Sequence, residues 1–293
     1  MIYVLENDKF EVKISSIGAE LKSMFSKKTN FEYVWQGHKD YWTGSACNLF
    51  PICGRLFEQK YTYKGKEYSM PPHGFVRNME FIMEEKTNTK IVLRVDSDSE
   101  TLKMYPFNFT FKIIYTLIGS TLKNEFYVEN NEEEILPFSV GGHPGFNIPF
   151  EKGLTLNDHY IEFEKAKNRL QVEFSPTCFC TGKTLEFKME DDKIINLDYK
   201  LFENDAIFLE DDNGTVSIKS KKSNKCVSLS YNNASHVGFW QNYTKNTPFV
   251  CIEPWYGIPS TDGIVDDLDS KNKLIYLKKG ENYNFCFDIS ITE

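Results

Sequence analysis

Short runs in which apolar and polar residues alternate dominate this chain, and a period of two is the signature of a β-strand with one buried face. FEVKISSI (10–17), IVLRVDS (91–97), FNFTFKIIYTLIG (107–119), TLKNEFYVEN (121–130), GTVSIKS (214–220), CVSLSY (226–231) and NYNFCFDIS (282–290) all have it in part. Each is rich in β-branched or aromatic residues, which suit a pleated, half-buried surface. YTYKGKEY (61–68) reads as a hairpin, with tyrosines 61, 63 and 68 around a Lys-Gly turn whose glycine accepts positive φ. Only SETLKMY (99–105) resembles a short helix. The pattern predicts an all-β protein built as a large antiparallel β-sandwich, because many short strands with frequent turns bury their apolar faces by stacking sheets. No internal repeat, low-complexity segment or Pro/Gly/Ser-rich linker divides the sequence, so residues 1–293 are expected to form one domain. The order of the strands is not legible from this pattern.

Composition narrows the functional classes. With 41% hydrophobic residues, 15% of the chain being aromatic, 293 residues have the material for a substantial core. A net charge of -8 disfavours nucleic acid and anionic lipid as partners. The first residues, MIYVLENDKFEVKIS, are too charged for a signal peptide, and no later stretch approaches a membrane span, which points to a cytoplasmic protein. Seven cysteines, an odd number without a C-x-x-C pair, are expected to be free thiols.

Candidate chemistry lies in a few segments. PPHGFVR places His73, and GGHPGFN places His143, between prolines and glycines that are not expected to continue a regular central strand. Such backbone either aims a side chain or makes a tight turn whose histidine bonds to the main chain. In FVCIEPWYG (249–257), Glu253 ends an apolar run and Pro254 should stop the ladder after it. Alternation puts Glu253 on one face with Phe249 and Cys251, an apolar setting that would raise its pKa and make it a proton acceptor near neutrality. The alternative is a glutamate at a strand end, in solvent or paired with a lysine. Trp255 beside it offers an aromatic face of the kind that suits the C–H face of a sugar. Arg55, in CNLFPICGRL (47–56), is either a forked donor to ligand hydroxyls or half of a structural ion pair. Asp205, in FENDAIFLED (202–211), is either a hydroxyl acceptor or a strand cap. The acidic stretch TDGIVDDLDS (261–270) lacks EF-hand spacing and reads as a solvated loop.

Taken in order, GRL, PHG, GGHPGFN, NDAIF and IEPWYG resemble the active-site segments of aldose 1-epimerases (galactose mutarotases), especially their LacX-like branch. The resemblance spans roughly residues 20–285. It implies a galactose mutarotase-like supersandwich with a hexose bound in a cleft on one sheet. It also implies roles: Glu253 as general base, His143 as general acid, Arg55 and His73 as contacts to ring and hydroxyl oxygens, and Asp205 as a hydroxyl acceptor; Trp255 stands as a substrate contact on its own aromatic face. Gly54 stands where many mutarotases resemble N-R-I, so one amide contact to a hydroxyl is missing.

Interconverting anomers requires one base to take the C1 hydroxyl proton and one acid to supply the ring oxygen. A glutamate raised from about 4.3 by apolar surroundings and a histidine raised from about 6.5 by neighbouring carboxylates would serve. The reaction needs no cofactor and no metal, and the nucleotide and zinc motifs are absent. A monomer or homodimer acting on a small-molecule hexose is expected. The alternatives are a hexose-6-phosphate 1-epimerase, with Arg55 and Arg77 as the only arginines near the motifs, and a non-catalytic carbohydrate-binding protein. A metal hydrolase on His73, His143, Asp205 and Glu253 is a more distant one.

Overall fold

The computed structural model describes residues 1–243 and 247–293. Among these, the two largest sheets have nine and seven strands, and the strand pairs within them are antiparallel. The nine-stranded sheet runs Ile194–Asn196, His159–Phe163, Asn213–Ser220, Ser223–Asn232, Asn282–Thr292, Thr121–Asn130, Phe109–Ile118, Lys90–Asp96, Ile82–Lys86. The seven-stranded sheet runs Cys180–Phe187, Arg169–Phe174, Ile207–Glu210, His236–Trp240, Phe249–Tyr256, Val140–Asn147, Ala46–Leu49. The expected stacking of sheets is present. Phe163 of the first sheet meets Phe239 of the second edge-on, with ring centroids 5.8 Å apart. A Cβ on Gly142 would land 2.5 Å from Cζ of Phe287, so the glycine lets the sheets close on each other there.

Alternation decides which residues enter this core. In the strand Phe249–Tyr256, Val250 and Ile252 join the main apolar cluster, while Phe249, Cys251, Glu253 and Trp255 project from the other face. The face-sharing expected for Phe249, Cys251 and Glu253 therefore holds. The hairpin is present as Lys60–Tyr63 and Lys66–Ser69, with Lys64 and Gly65 at positive φ, and the helix shrinks to Thr101–Met104. All seven cysteines are free.

Three local expectations are corrected. GGHPGFN does continue a regular central strand, Val140–Asn147, flanked by Phe249–Tyr256 and Ala46–Leu49. The glycines are needed for packing: a Cβ on Gly141 would sit 2.6 Å from Trp255 Cδ1. Pairing with Phe249–Tyr256 occurs at Val140–Gly141 and again at Gly145–Asn147, and Pro144, which has no N–H to give, falls in the interval between. Pro254 likewise does not end its strand, which runs on to Tyr256 with Pro254 opposite Val237. Finally, the acidic stretch 261–270 is not wholly solvated. Asp266–Asp267 pairs in parallel with Tyr61 and Thr62, Leu268 is fully buried, and Asp266 binds Lys271 at 3.0 Å.

Candidate active site

The outer face of the seven-stranded sheet forms the floor of a cavity of about 240 Å³. All six residues singled out from the sequence, Arg55, His73, His143, Asp205, Glu253 and Trp255, line it. Register explains the central pair. Gly141 is opposite Trp255 and Gly145 opposite Cys251, so His143 and Glu253 fall midway between, on neighbouring strands and on one face. Their side chains approach to 3.3 Å, His143 Nε2 to Glu253 Oε1. Both residues are buried, at 8% and 2% exposure. Glu253 Oε1 and His143 Nδ1 have no hydrogen-bond partner, although a buried polar atom left alone costs about 1–3 kcal/mol. Both residues line the cavity, so the pair has bonding capacity left over at its floor.

Burial sets the protonation of this pair. It pushes the Glu253 carboxyl well above its ordinary value, and the charge of Asp205 adds to the effect. The same desolvation pushes His143 down to about 3, with Arg77 contributing. Glu253 thus moves in the expected direction and His143 in the opposite one. An imidazolium at this depth loses more hydration than its one favourable contact, a hydrogen bond to its own backbone, returns.

The remaining groups are held by the loops above the sheet. Gly54 N–H donates to His73 Nδ1 at 3.2 Å, and His73 N–H donates back to the Gly54 carbonyl at 2.7 Å. With Nδ1 accepting, the neutral ring carries its proton on Nε2, free to donate to an oxygen. Burial, then His143, Arg77 and Arg55, holds His73 well below the usual histidine range. The turn depends on Gly74 at φ +72, where a Cβ would be 2.1 Å from the Phe50 carbonyl oxygen. Gly54, at φ +79, packs against Pro259, whose Cγ would be 2.6 Å from an added Cβ, so the site has no room for a side chain in the place of the mutarotase asparagine. Arg55 Nη2 lies 3.5 Å from Asp205 Oδ2, and Trp240 Nε1–H donates to Asp205 Oδ1 at 2.8 Å. Of the two readings of Arg55 the ion pair is the one observed, and both of its partners line the cavity.

Several lining residues were not singled out from the sequence. Trp42 lies beside His143 with ring centroids 4.9 Å apart, and Trp240 approaches it edge-on at 5.5 Å. The chain has four tryptophans, and three of them, Trp42, Trp240 and Trp255, line one cavity; that scarcity was the available signal. Arg77 also lines the cavity, and its buried Nε has no partner. His143, Cys251 and Glu253 bring donor atoms within 4.8 Å of one another, a set able to approach a metal ion. Burial raises the Cys251 thiol well above its usual value, so ligation there would first require removing its proton. This grouping differs from the four-residue set considered above, sharing His143 and Glu253 with it but bringing in Cys251 in place of His73 and Asp205.

The fold and the site define a large β-sandwich with an aromatic, polar cavity on one sheet, and comparison with known proteins gives it a family. The chain matches the aldose 1-epimerase family over residues 1–289 and belongs to it. It is an isomerase of the epimerase type. It is 30% identical to the plasmid-encoded protein LacX of Lactococcus lactis subsp. lactis, over 99% of each chain. Its fold superposes on a galactose mutarotase related enzyme from Lactobacillus acidophilus with a TM-score of 0.96, at 35% identity and covering 100% of this chain and 98% of that one. A galactose mutarotase-like protein from Lactobacillus casei follows at a TM-score of 0.95 and 26% identity, over 99% and 100% of the two chains. Among the described residues, no helix is long and apolar enough to cross a membrane.

Proposed function

We propose that the chain interconverts the α and β anomers of a free hexose by ring opening, with Glu253 as the base at the C1 hydroxyl and His143 as the acid at the ring oxygen. The observation that carries this reading is the buried, incompletely hydrogen-bonded Glu253–His143 pair at the floor of the cavity. The two residues are matched in proton count. A carboxylate with an imidazolium and a carboxylic acid with a neutral imidazole each hold one proton, and burial favours the second arrangement in the empty site. A bound sugar adds hydroxyl and ring oxygens that hydrogen-bond to the charged forms and restore part of their lost hydration. Glu253 then takes the C1 hydroxyl proton as His143 gives one to the ring oxygen, the C1–ring oxygen bond breaks, and the pair ends in its neutral form. Rotation about C1–C2 and reversal of the same transfers closes the other anomer.

Surrounding groups suit orientation. His73 Nε2–H and Arg55 donate, Asp205 accepts, and the ring of Trp255 offers an apolar wall. One observation favours a second reading: the unpartnered Arg77 would suit an anionic sugar such as a hexose 6-phosphate. Polarimetry on freshly dissolved α-glucose and α-galactose, beside the corresponding 6-phosphates, separates the possibilities. Faster equilibration of the free sugars is expected, and a preference for the phosphates supports the second reading. Binding without acceleration of any of them would show a carbohydrate-binding protein in place of the proposed reaction.

A further inference from the structure

Three donors of different chemistry meet at the cavity floor. A ring nitrogen of His143, Cys251 Sγ and a carboxylate oxygen of Glu253 lie within 4.8 Å of one another, and His143 Nε2 is 3.3 Å from Glu253 Oε1. Alternation brings Cys251 and Glu253 to one face of the strand Phe249–Tyr256, and Gly145, opposite Cys251, carries His143 two positions along on the neighbouring strand. We infer that these three side chains form an inhibitory site for a borderline-soft divalent cation such as Zn²⁺, which stops the sugar reaction while it is bound. The inhibitory half of this inference rests on the proposed roles of Glu253 and His143; the binding half does not.

The spacing fits such an ion. Tetrahedral zinc holds imidazole nitrogen and carboxylate oxygen at about 2.0–2.2 Å and thiolate sulfur at about 2.3 Å, which places ligand atoms roughly 3.3–3.6 Å apart. The separation of His143 and Glu253 is already of that size, and Cys251 has roughly 1 Å to close. The site also has capacity to fill, because Glu253 is 2% exposed and its Oε1 has no hydrogen bond. Charge points the same way. A thiolate and a carboxylate cancel the two charges of the ion, so the cluster is neutral at a depth where net charge is costly; the thiol proton, with that of the carboxyl where it holds one, leaves to solvent. Nitrogen and sulfur donors favour zinc or cobalt over magnesium and calcium, which take oxygen ligands. His143 and Glu253 line the cavity, so an ion reaches them through it, and the fourth position is left to water. Inhibition follows from occupancy: the lone pairs through which the pair passes protons are committed to the metal.

Co²⁺ reports binding through the thiolate-to-metal charge-transfer absorption of a cysteine-bound ion, and Zn²⁺ reports inhibition through anomer exchange of glucose or galactose followed by NMR. The wild-type chain is compared with Cys251→Ala, Cys251→Ser and, as a control at an exposed thiol, Cys286→Ser. A single equivalent of Co²⁺ should give the absorption in the wild type and in Cys286→Ser. Both Cys251 variants should lack it and bind Co²⁺ about a hundredfold more weakly, since even an outer partner of a metal ligand is worth about 10–100-fold in affinity. Zn²⁺ in slight excess should abolish wild-type exchange, a chelator should restore it, and Mg²⁺ should leave it unchanged. The Cys251 variants, each scored against its own metal-free rate, should escape inhibition. Absence of the absorption in the wild type, or its persistence in Cys251→Ala, overturns the inference, as does a wild type that binds the metal and still exchanges anomers at its metal-free rate. Should no sugar be turned over even without metal, the epimerase reading fails on its own, and the Co²⁺ titration still decides the site.

Discussion

Two carboxylates are buried in this protein to nearly the same depth, Asp211 at 3% exposure and Glu253 at 2%, and their surroundings are opposite. Asp211 accepts from Arg169 Nε at 2.7 Å, from the Tyr231 hydroxyl at 3.1 Å and from Lys167 Nζ at 3.3 Å. The Arg169 guanidinium in turn lies 3.7 Å from the ring centroid of Phe163 and donates to the carbonyls of Lys165 and Lys167. Glu253 has beside it one imidazole at 3.3 Å and an oxygen without a hydrogen bond. A carboxylate whose charge is neutralised and whose lone pairs are filled holds structure together. One that is desolvated and left open costs stability and, in the function proposed here, keeps its bonding capacity for a ligand.

This contrast can be broken at either end. The largest effect on stability is expected at the satisfied site. Asp211→Ala strands a buried guanidinium and should cost about 3–5 kcal/mol in chemical denaturation. The rate of anomerisation per folded molecule should be unchanged. A loss of activity without loss of stability would show that Asp211 belongs to the site and that the distinction is false.

A smaller effect separates the two by pH. The folded-state value of Glu253 lies above that of the unfolded chain, about 4.3. Folding therefore holds a proton that the unfolded chain releases, and stability falls as pH rises above that point. His143 acts in the other sense: with a folded value of about 3 against about 6.5 unfolded, its contribution is lost as pH falls below about 6.5. The two slopes oppose each other between about 4.3 and 6.5, and above that range only Glu253 contributes. Glu253→Gln should gain on the wild type as pH rises above about 4.3, by at most about 1.4 kcal/mol per pH unit, until Glu253 ionises in the folded chain. Parallel denaturation curves over that range would mean that Glu253 is already ionised in the folded protein.

Much of the site was legible because a strand's alternation is a local property. The pattern FVCIEPWY places Glu253 and Trp255 on the face opposite Val250 and Ile252 before any partner strand is known. Which residues join them from other strands depends on register, and the local pattern does not carry register. Gly238 falls opposite Glu253, which sets Trp240 two positions along on the same face; nothing in VGFWQ announces this. Asp205 was crowded among Glu203, Glu210, Asp211 and Asp212, and only the hydrogen bond from Trp240 and the Arg55 pair distinguish it. The glycines and the proline of GGHPGFN signalled unusual backbone, whereas Gly141 and Gly142 serve close packing of Trp255 and Phe287 against an ordinary strand. The pKa of His143 was misjudged for a related reason, since neighbouring carboxylates can be counted in a sequence but depth of burial cannot.

The most direct test of the account is a double-mutant cycle on the pair itself, with anomer exchange of glucose or galactose followed by NMR for Glu253→Gln, His143→Asn and the combination. Each single change should lower kcat by about a hundredfold or more while sugar binding persists, and the combined variant should be no slower than the worse single one, because the two groups hand on one proton as a unit. Wild-type exchange in either single variant, or losses that multiply in the double, would contradict it.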